Sequence, residues 1–230
     1  MFSPYHRLNN CTRLQRTVAA LRDGGHVTDA VFAGHNKYHY SLLHKLNSAK
    51  VHLESLEDLL KSTDATTAIT SNDFLGKANM YLDSFFYCSG SALDILAREV
   101  LVYFSIAFPG NVYYSTARNE INTHRPGDTL LPRLVDPTWK AEFSNYRNAL
   151  THEVLIGINY QINVTQDGAR SVRKIVFPLP DDPRNPNSGY TSNPDSVEYC
   201  RTTFHRLLSL INTIYGDIET RARTSNSLPL

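Results

Sequence analysis

The segment Tyr146-Arg147-Asn148-Ala149-Leu150-Thr151-His152-Glu153 sets a fixed cation, an amide and an imidazole on one short stretch of chain. Those three side chains can do phosphoryl chemistry on RNA with no metal. The planar guanidinium of arginine matches phosphate oxygens, histidine moves a proton near neutral pH, and asparagine can orient either one. Spacing alone is weak support, because Arg118-Asn119-Glu120-Ile121-Asn122-Thr123-His124 opens with the same Arg-Asn pair and has one extra residue before its histidine. Helical context favours Arg147. At about 100° per residue, Trp139, Phe143, Tyr146 and Leu150 share a sector of roughly 60°, while Lys140, Ser144, Asn148, Thr151 and His152 lie opposite with Arg147. An aromatic stripe would bury one side of this helix and leave the trio facing outward. Around Arg118 the motif has Ile121 as its aliphatic residue, and the turn Arg125-Pro126-Gly127-Asp128 follows at once. The plain alternative for the trio is a solvated helix face, with His152 near a helix C-terminus where the dipole favours its charged form.

The motif needs elements to hold it. Asp136-Pro137 reads as an N-cap followed by proline at the first helical position, opening a helix from Pro137 to about Val154. A short helix is expected over 12–23, stopped by Gly24-Gly25, with no evident partner. A longer one is expected from about Asn36 to Lys61, carrying Leu42, Leu46, Leu53, Leu56 and Leu60, and Ser62 to Asn72 reads as a connection. The strongest helical pattern runs from Asp73 to Phe104. Phe74, Ala78, Tyr81, Leu82, Phe85, Leu93, Leu96 and Val100 form its apolar side, and Asp83, Tyr87, Ser91, Asp94 and Arg98 a polar stripe opposite. Gly76 and Gly90 inside it each cost about 1 kcal/mol against alanine, which suggests a second backbone close by. Asn111 to Leu131 reads as a mixed segment. After the motif the period changes to two: Ile156, Ile158, Tyr160 and Ile162 alternate with other residues, Asp167-Gly168 supplies a turn, and Val172 to Phe177 returns, which together predict a β-hairpin. Leu179 to Ser192 is a surface loop by composition, and a last helix extends from about Pro194 to Arg223.

The chain has 230 residues, 41% hydrophobic and 20% charged, enough for one domain with a core of its own. Its net charge of +1 supplies no global field for nucleic acid, so an RNA site must come from local clustering or from two subunits sharing a groove. No apolar run approaches the roughly 20 residues of a membrane span, and a secretory signal is not expected. Cys11, Cys88 and Cys200 are odd in number and far apart, which fits reduced thiols and a cytoplasmic location.

Arg147-Asn148-Ala149-Leu150-Thr151-His152 resembles the R-x4-6-H signature of the HEPN superfamily, and residues 81 to 97 are similar to the long second helix of such bundles. The resemblance covers about 36 to 154 plus the last helix. It implies a mainly α fold, a HEPN-like helical bundle with a β-hairpin insertion at about 156–177 before the last helix, preceded by an N-terminal extension over 1–35. It further implies a homodimer in which two motif helices face each other across a cleft, forming a metal-independent endoribonuclease of the toxin or phage-defence kind, with no cofactor. In that reading Arg147, Asn148 and His152 are catalytic, and Asp94, with Asp83, Ser91 and Thr151 as further candidates, supports them. RNA is the substrate and an antitoxin or regulatory protein a further partner. The rival reading is a non-catalytic HEPN-like module that binds RNA or protein in a defence or toxin-antitoxin complex.

The remaining candidates are weaker. Arg170, Arg173 and Lys174 on the second hairpin strand could track an RNA backbone, or simply keep an exposed strand soluble. His35, His39 and His44 cluster in sequence, and His35 with His39 has one-turn spacing suited to a metal, but neither an acid nor a cysteine accompanies them locally, so no metal site is expected. No glycine-rich phosphate loop and no nucleophile elbow occur.

Overall fold

The computed structural model describes residues 8–63, 72–108, 110–135, 137–152, 160–167, 170–185, 187–193 and 195–230. The protein is mainly helical, with a two-stranded antiparallel hairpin before the final helix. In chain order the elements are α1 (Asn9–Asp23), α2 (Asp29–Ser62), α3 (Asn72–Tyr103), α4 (Tyr114–His124), a 3-10 turn (Leu131–Arg133), α5 (Thr138–His152), β1 (Gln161–Asp167), β2 (Arg170–Val176) and α6 (Ser196–Ser225). No helix among the described residues is long and apolar enough to cross a membrane.

Most of these agree with the sequence pattern to within a few residues, and two do not: α2 begins at Asp29, well before the expected Asn36, and α4 was not expected. The segment expected to be mixed contains α4, whose buried Tyr114, Ala117 and Ile121 sit at three- and four-residue steps. The hairpin is present, with β1 beginning at Gln161, and the expectations at Glu153, Val154, Ile156 and Ile158 lie outside the described residues. Its register pairs Gln161 with Val176 and Asp167 with Arg170.

The chain divides into two compact units. The first contains Met1–Asn47, Ser89–Pro137 and His205–Leu230. Within it α1 stops where Gly25 takes a positive φ of 75°, a conformation glycine enters without a Cβ penalty. The partner of α1 that the sequence left unnamed is α6. Asn10 donates from its backbone to the Asn212 side chain and from its own amide to the Asn212 carbonyl, both at 2.9 Å. Arg13 and Thr17 reach the buried Glu219. Leu14, Val18, Leu42, Leu46, Leu96, Val100, Ile211 and Ile214 fill the core around them, all essentially inaccessible.

The close approach of α2 and α3 occurs at Gly34, where a Cβ would stand 2.7 Å from Val102 Cγ1. The expectation of such an approach at Gly76 is corrected: that glycine is exposed, and among the described residues a Cβ there would meet nothing within 4 Å.

The second unit contains Ser48–Cys88 and Thr138–Phe204. Its core is aromatic. Phe86 of α3 stacks on Phe143 of α5 at 5.5 Å and contacts Tyr146 and Tyr199, while Phe74 meets Phe177 edge-on at 5.9 Å. The loop after β2 is closed by Asp181, which accepts from the backbones of Thr191 and Ser192 and from the Thr191 hydroxyl. These bonds, the Ser192 backbone N–H foremost, hold the Asp181 carboxyl below its ordinary value. Asp195 then accepts from the backbone N–H groups of Val197 and Glu198 and caps α6.

Candidate functional site

Helix α5 is held by its aromatic stripe as the sequence requires. Phe143 and Tyr146 are each 1% exposed, and Trp139 packs edge-on against Phe143. Tyr146 donates its hydroxyl to the Pro180 carbonyl at 2.8 Å and accepts from the Asn193 amide, whose second partner is Glu142. Burial pushes the Tyr146 phenol up to about 12. The rotation of α5 is therefore fixed by packing and by a loop-borne hydrogen bond together.

With that rotation, Arg147 is half-buried beside the core stripe and Asn148 half-buried on the opposite side of α5. Arg147 lies about 60° around the helix from Leu150 at 100° per residue, and Leu150 lines an open cleft of about 420 Å³. The other walls are His52 of α2 and Asp83, Ser84, Tyr87 and Cys88 of α3. Partial desolvation raises the Asp83 carboxyl above its ordinary value. His52 rests against the Tyr81 ring with 6.3 Å between centroids, and its Nδ1 is buried with no hydrogen-bond partner among the described residues. An imidazole, a carboxyl of raised proton affinity, a serine hydroxyl and a phenol thus face one solvent-open space beside the motif helix.

The supporting candidates separate. Asp83 reaches the cleft beside Leu150, whereas Ser91 and Asp94, both half-buried on α3, belong to the other compact unit. Thr151 and His152 complete α5 in the backbone trace, and their side chains lie outside the described residues. Arg170, Arg173 and Lys174 are strand residues of β2 whose backbones pair with Asp167, Val164 and Asn163; their side chains are likewise outside the description.

The competing motif is also helical, so helix formation itself does not separate the two. Arg118 and His124 belong to α4, where His124 is exposed and sits 3.7 Å from Glu120 one turn earlier. What distinguishes α5 is its aromatic anchoring, tied through the Tyr146 hydroxyl to Pro180, and the neighbouring cleft. His52 gave no signal of its own in sequence, since a lone histidine in a long amphipathic helix is common; only the arrangement of α2 with α3 brings it there. Neither a family model, nor a curated protein, nor a solved structure matches this chain.

Proposed function

We propose that this protein is a HEPN-type, metal-independent endoribonuclease whose working site includes Arg147, Asn148 and His152 of α5. The observation that carries the reading is the fixed rotation of α5, which buries Phe143 and Tyr146, leaves Arg147 and Asn148 half-buried, and turns Leu150 to a polar cleft. RNA supplies its own nucleophile: the 2′-hydroxyl attacks the adjacent phosphorus, the 5′-oxygen of the next nucleotide leaves, and a 2′,3′-cyclic phosphate remains. His152 takes or gives a proton in that step, a role worth about 10²–10⁴-fold. Arg147 holds the phosphate as charge builds on its oxygens, and Asn148 orients either partner.

Strand cleavage needs both a base and an acid, and the motif contributes one histidine. A second copy of the chain, related by a two-fold axis, supplies the other. Met80 and Tyr87 favour this pairing: they are 52% and 50% exposed at seven-residue spacing on α3, flanking Asp83 and Ser84 of the cleft wall. Exposed apolar side chains beside a polar cleft suit a self-complementary interface. A toxin or defence role, and control by an antitoxin or regulatory partner, belong to the same proposal.

The test is cleavage of a structured RNA in EDTA, below the unfolding transition of the chelated protein, by wild type and by Arg147→Ala, His152→Ala and Arg118→Ala. Loss of cleavage in the first two variants by at least about 10²-fold, with Arg118→Ala active, is the expected pattern. Activity that survives His152→Ala, or that is lost only in Arg118→Ala, would overturn the assignment.

A further inference from the structure

In the first unit, His35 and His39 of α2 meet Glu99 of α3 in a fully buried cluster, with exposures of 2%, 0% and 0%. The expectation that no acid or cysteine accompanies these histidines is therefore corrected: Glu99 arrives from 60 residues away in sequence, and Cys11 of α1 lies 3.2 Å from His39 Nε2. We propose that His35 Nδ1, His39 Nδ1 and Glu99 Oε1 bind one divalent first-row transition ion, zinc foremost, as a structural centre of this unit.

Three observations carry it. The first is ligand geometry. The three candidate ligand atoms all lie within 4.8 Å of one another, with Nδ1 of His35 and of His39 at 3.4 and 3.1 Å from the same carboxylate oxygen. Zinc bonds of about 2.0–2.1 Å place tetrahedral ligand atoms roughly 3.3 Å apart, so little movement would admit an ion. The Tyr103 hydroxyl bridges two of these atoms by hydrogen bonds, 2.6 Å from His35 Nδ1 and 2.5 Å from Glu99 Oε1.

The second is the outer layer. A metal-bound histidine donates its other ring N–H, and a metal-bound carboxylate is held through its other oxygen. His39 presents Nε2 to Cys11 Sγ, and Glu99 Oε2 accepts from the Tyr215 hydroxyl. Cys11 faces the far nitrogen of the ring, which makes it an outer partner and not a ligand.

The third is charge. Among the described residues no lysine or arginine pairs with Glu99; its ionic partners are the imidazoles of His35 and His39, and Tyr103 and Tyr215 donate hydroxyls to it. A buried carboxylate needs a compensating cation, and a divalent ion held between these two imidazoles and the carboxylate supplies one while the imidazoles stay neutral. Imidazole with carboxylate oxygen suits zinc and its neighbours in the first row and discriminates against magnesium or calcium. The enclosure leaves no room for substrate, so the ion holds α2 to α3 and takes no part in RNA cleavage.

The experiment uses the full chain, purified without a metal-affinity tag, stripped with a chelator and titrated with zinc. One equivalent of zinc per chain by elemental analysis, and a higher Tm with zinc than with chelator, are expected. Cobalt(II) should give the visible d–d absorption of a low-coordinate site. Tyr215→Phe and Cys11→Ala should weaken zinc binding by about 10–100-fold while the helical circular dichroism is kept, and Glu99→Gln should abolish stoichiometric uptake. A folded wild type that takes up no stoichiometric zinc or cobalt would overturn the proposal and leave a hydrogen-bonded network of the same residues. So would uptake undiminished in a folded Glu99→Gln or His39→Gln variant, because the protein's nine histidines offer other sites. Should the ligand variants fail to fold, the wild-type stoichiometry and cobalt spectrum decide.

Discussion

Tyr146 does two things with one ring. It fills the core beside Phe86 and Tyr199, and through its hydroxyl it ties α5 to the loop at Pro180 and Asn193. Tyr146→Phe keeps the packing and removes the hydroxyl, leaving the Pro180 carbonyl and one Asn193 donor without it. We expect a loss of about 1–3 kcal/mol in denaturant unfolding, and a further fall in RNA cleavage if the rotation of α5 matters as argued. At this scale the motif was legible because a guanidinium, an amide and an imidazole need only be counted and wound on a helix. The buried cluster was not. His35 and His39 are readable as a one-turn pair, but nothing local says that Glu99 and Cys11 converge on them. The same holds for His52, whose importance rests on Asp83, Ser84 and Tyr87 lying across the cleft.

Long elements were legible where burial is one-sided. On α3 the expected apolar residues Phe74, Ala78, Leu82, Phe85, Leu93, Leu96 and Val100 are buried and Tyr81 is half-buried, while on the polar stripe Asp83 and Tyr87 are exposed and Ser91, Asp94 and Arg98 half-buried. Helix α4 escaped because three buried residues in eleven give little periodicity, and Asn111-Val112 before it and Arg125-Pro126-Gly127 after it look like loop. Glycine roles were misplaced for a related reason: sequence shows that a glycine interrupts a helix and not what stands opposite it. Gly34 is the testable case. In Gly34→Ala the new methyl would press on the β-branched Val102, whose χ1 is stiff, and we expect a loss of about 1–3 kcal/mol. The same substitution at Gly76, exposed with open space around it, should stabilise by about 1 kcal/mol through helix propensity. Thermal unfolding of the pair compares the two sites directly, and equal effects would contradict the packing described.

For the molecule as a whole, the hairpin and the helical class followed from the two periods in the sequence, whereas the division into two units did not, because α2, α3 and α6 each run through both. The second unit makes a prediction about alkali. Burial raises Tyr146 from an ordinary 10 to about 12 and raises Tyr199 further in the same direction. Because the folded protein holds these protons more tightly than the unfolded chain, the stability they contribute is full below pH 10 and is lost as pH rises through about 12. Tyrosinate absorbance from these two residues should therefore appear together with loss of helical circular dichroism; gradual ionisation of a protein that stays helical would contradict it.

The central claim, that α5 directs metal-independent attack by the RNA's own 2′-hydroxyl, is tested most directly by the chemistry of the cut ends. A single cleaved RNA, incubated in EDTA with wild type, should end in a 2′,3′-cyclic phosphate facing a 5′-hydroxyl. Replacing the 2′-hydroxyl at that nucleotide by hydrogen should abolish the cut, as should His152→Ala. Cleavage that leaves a 3′-hydroxyl, or that persists on the 2′-deoxy substrate, would contradict the account.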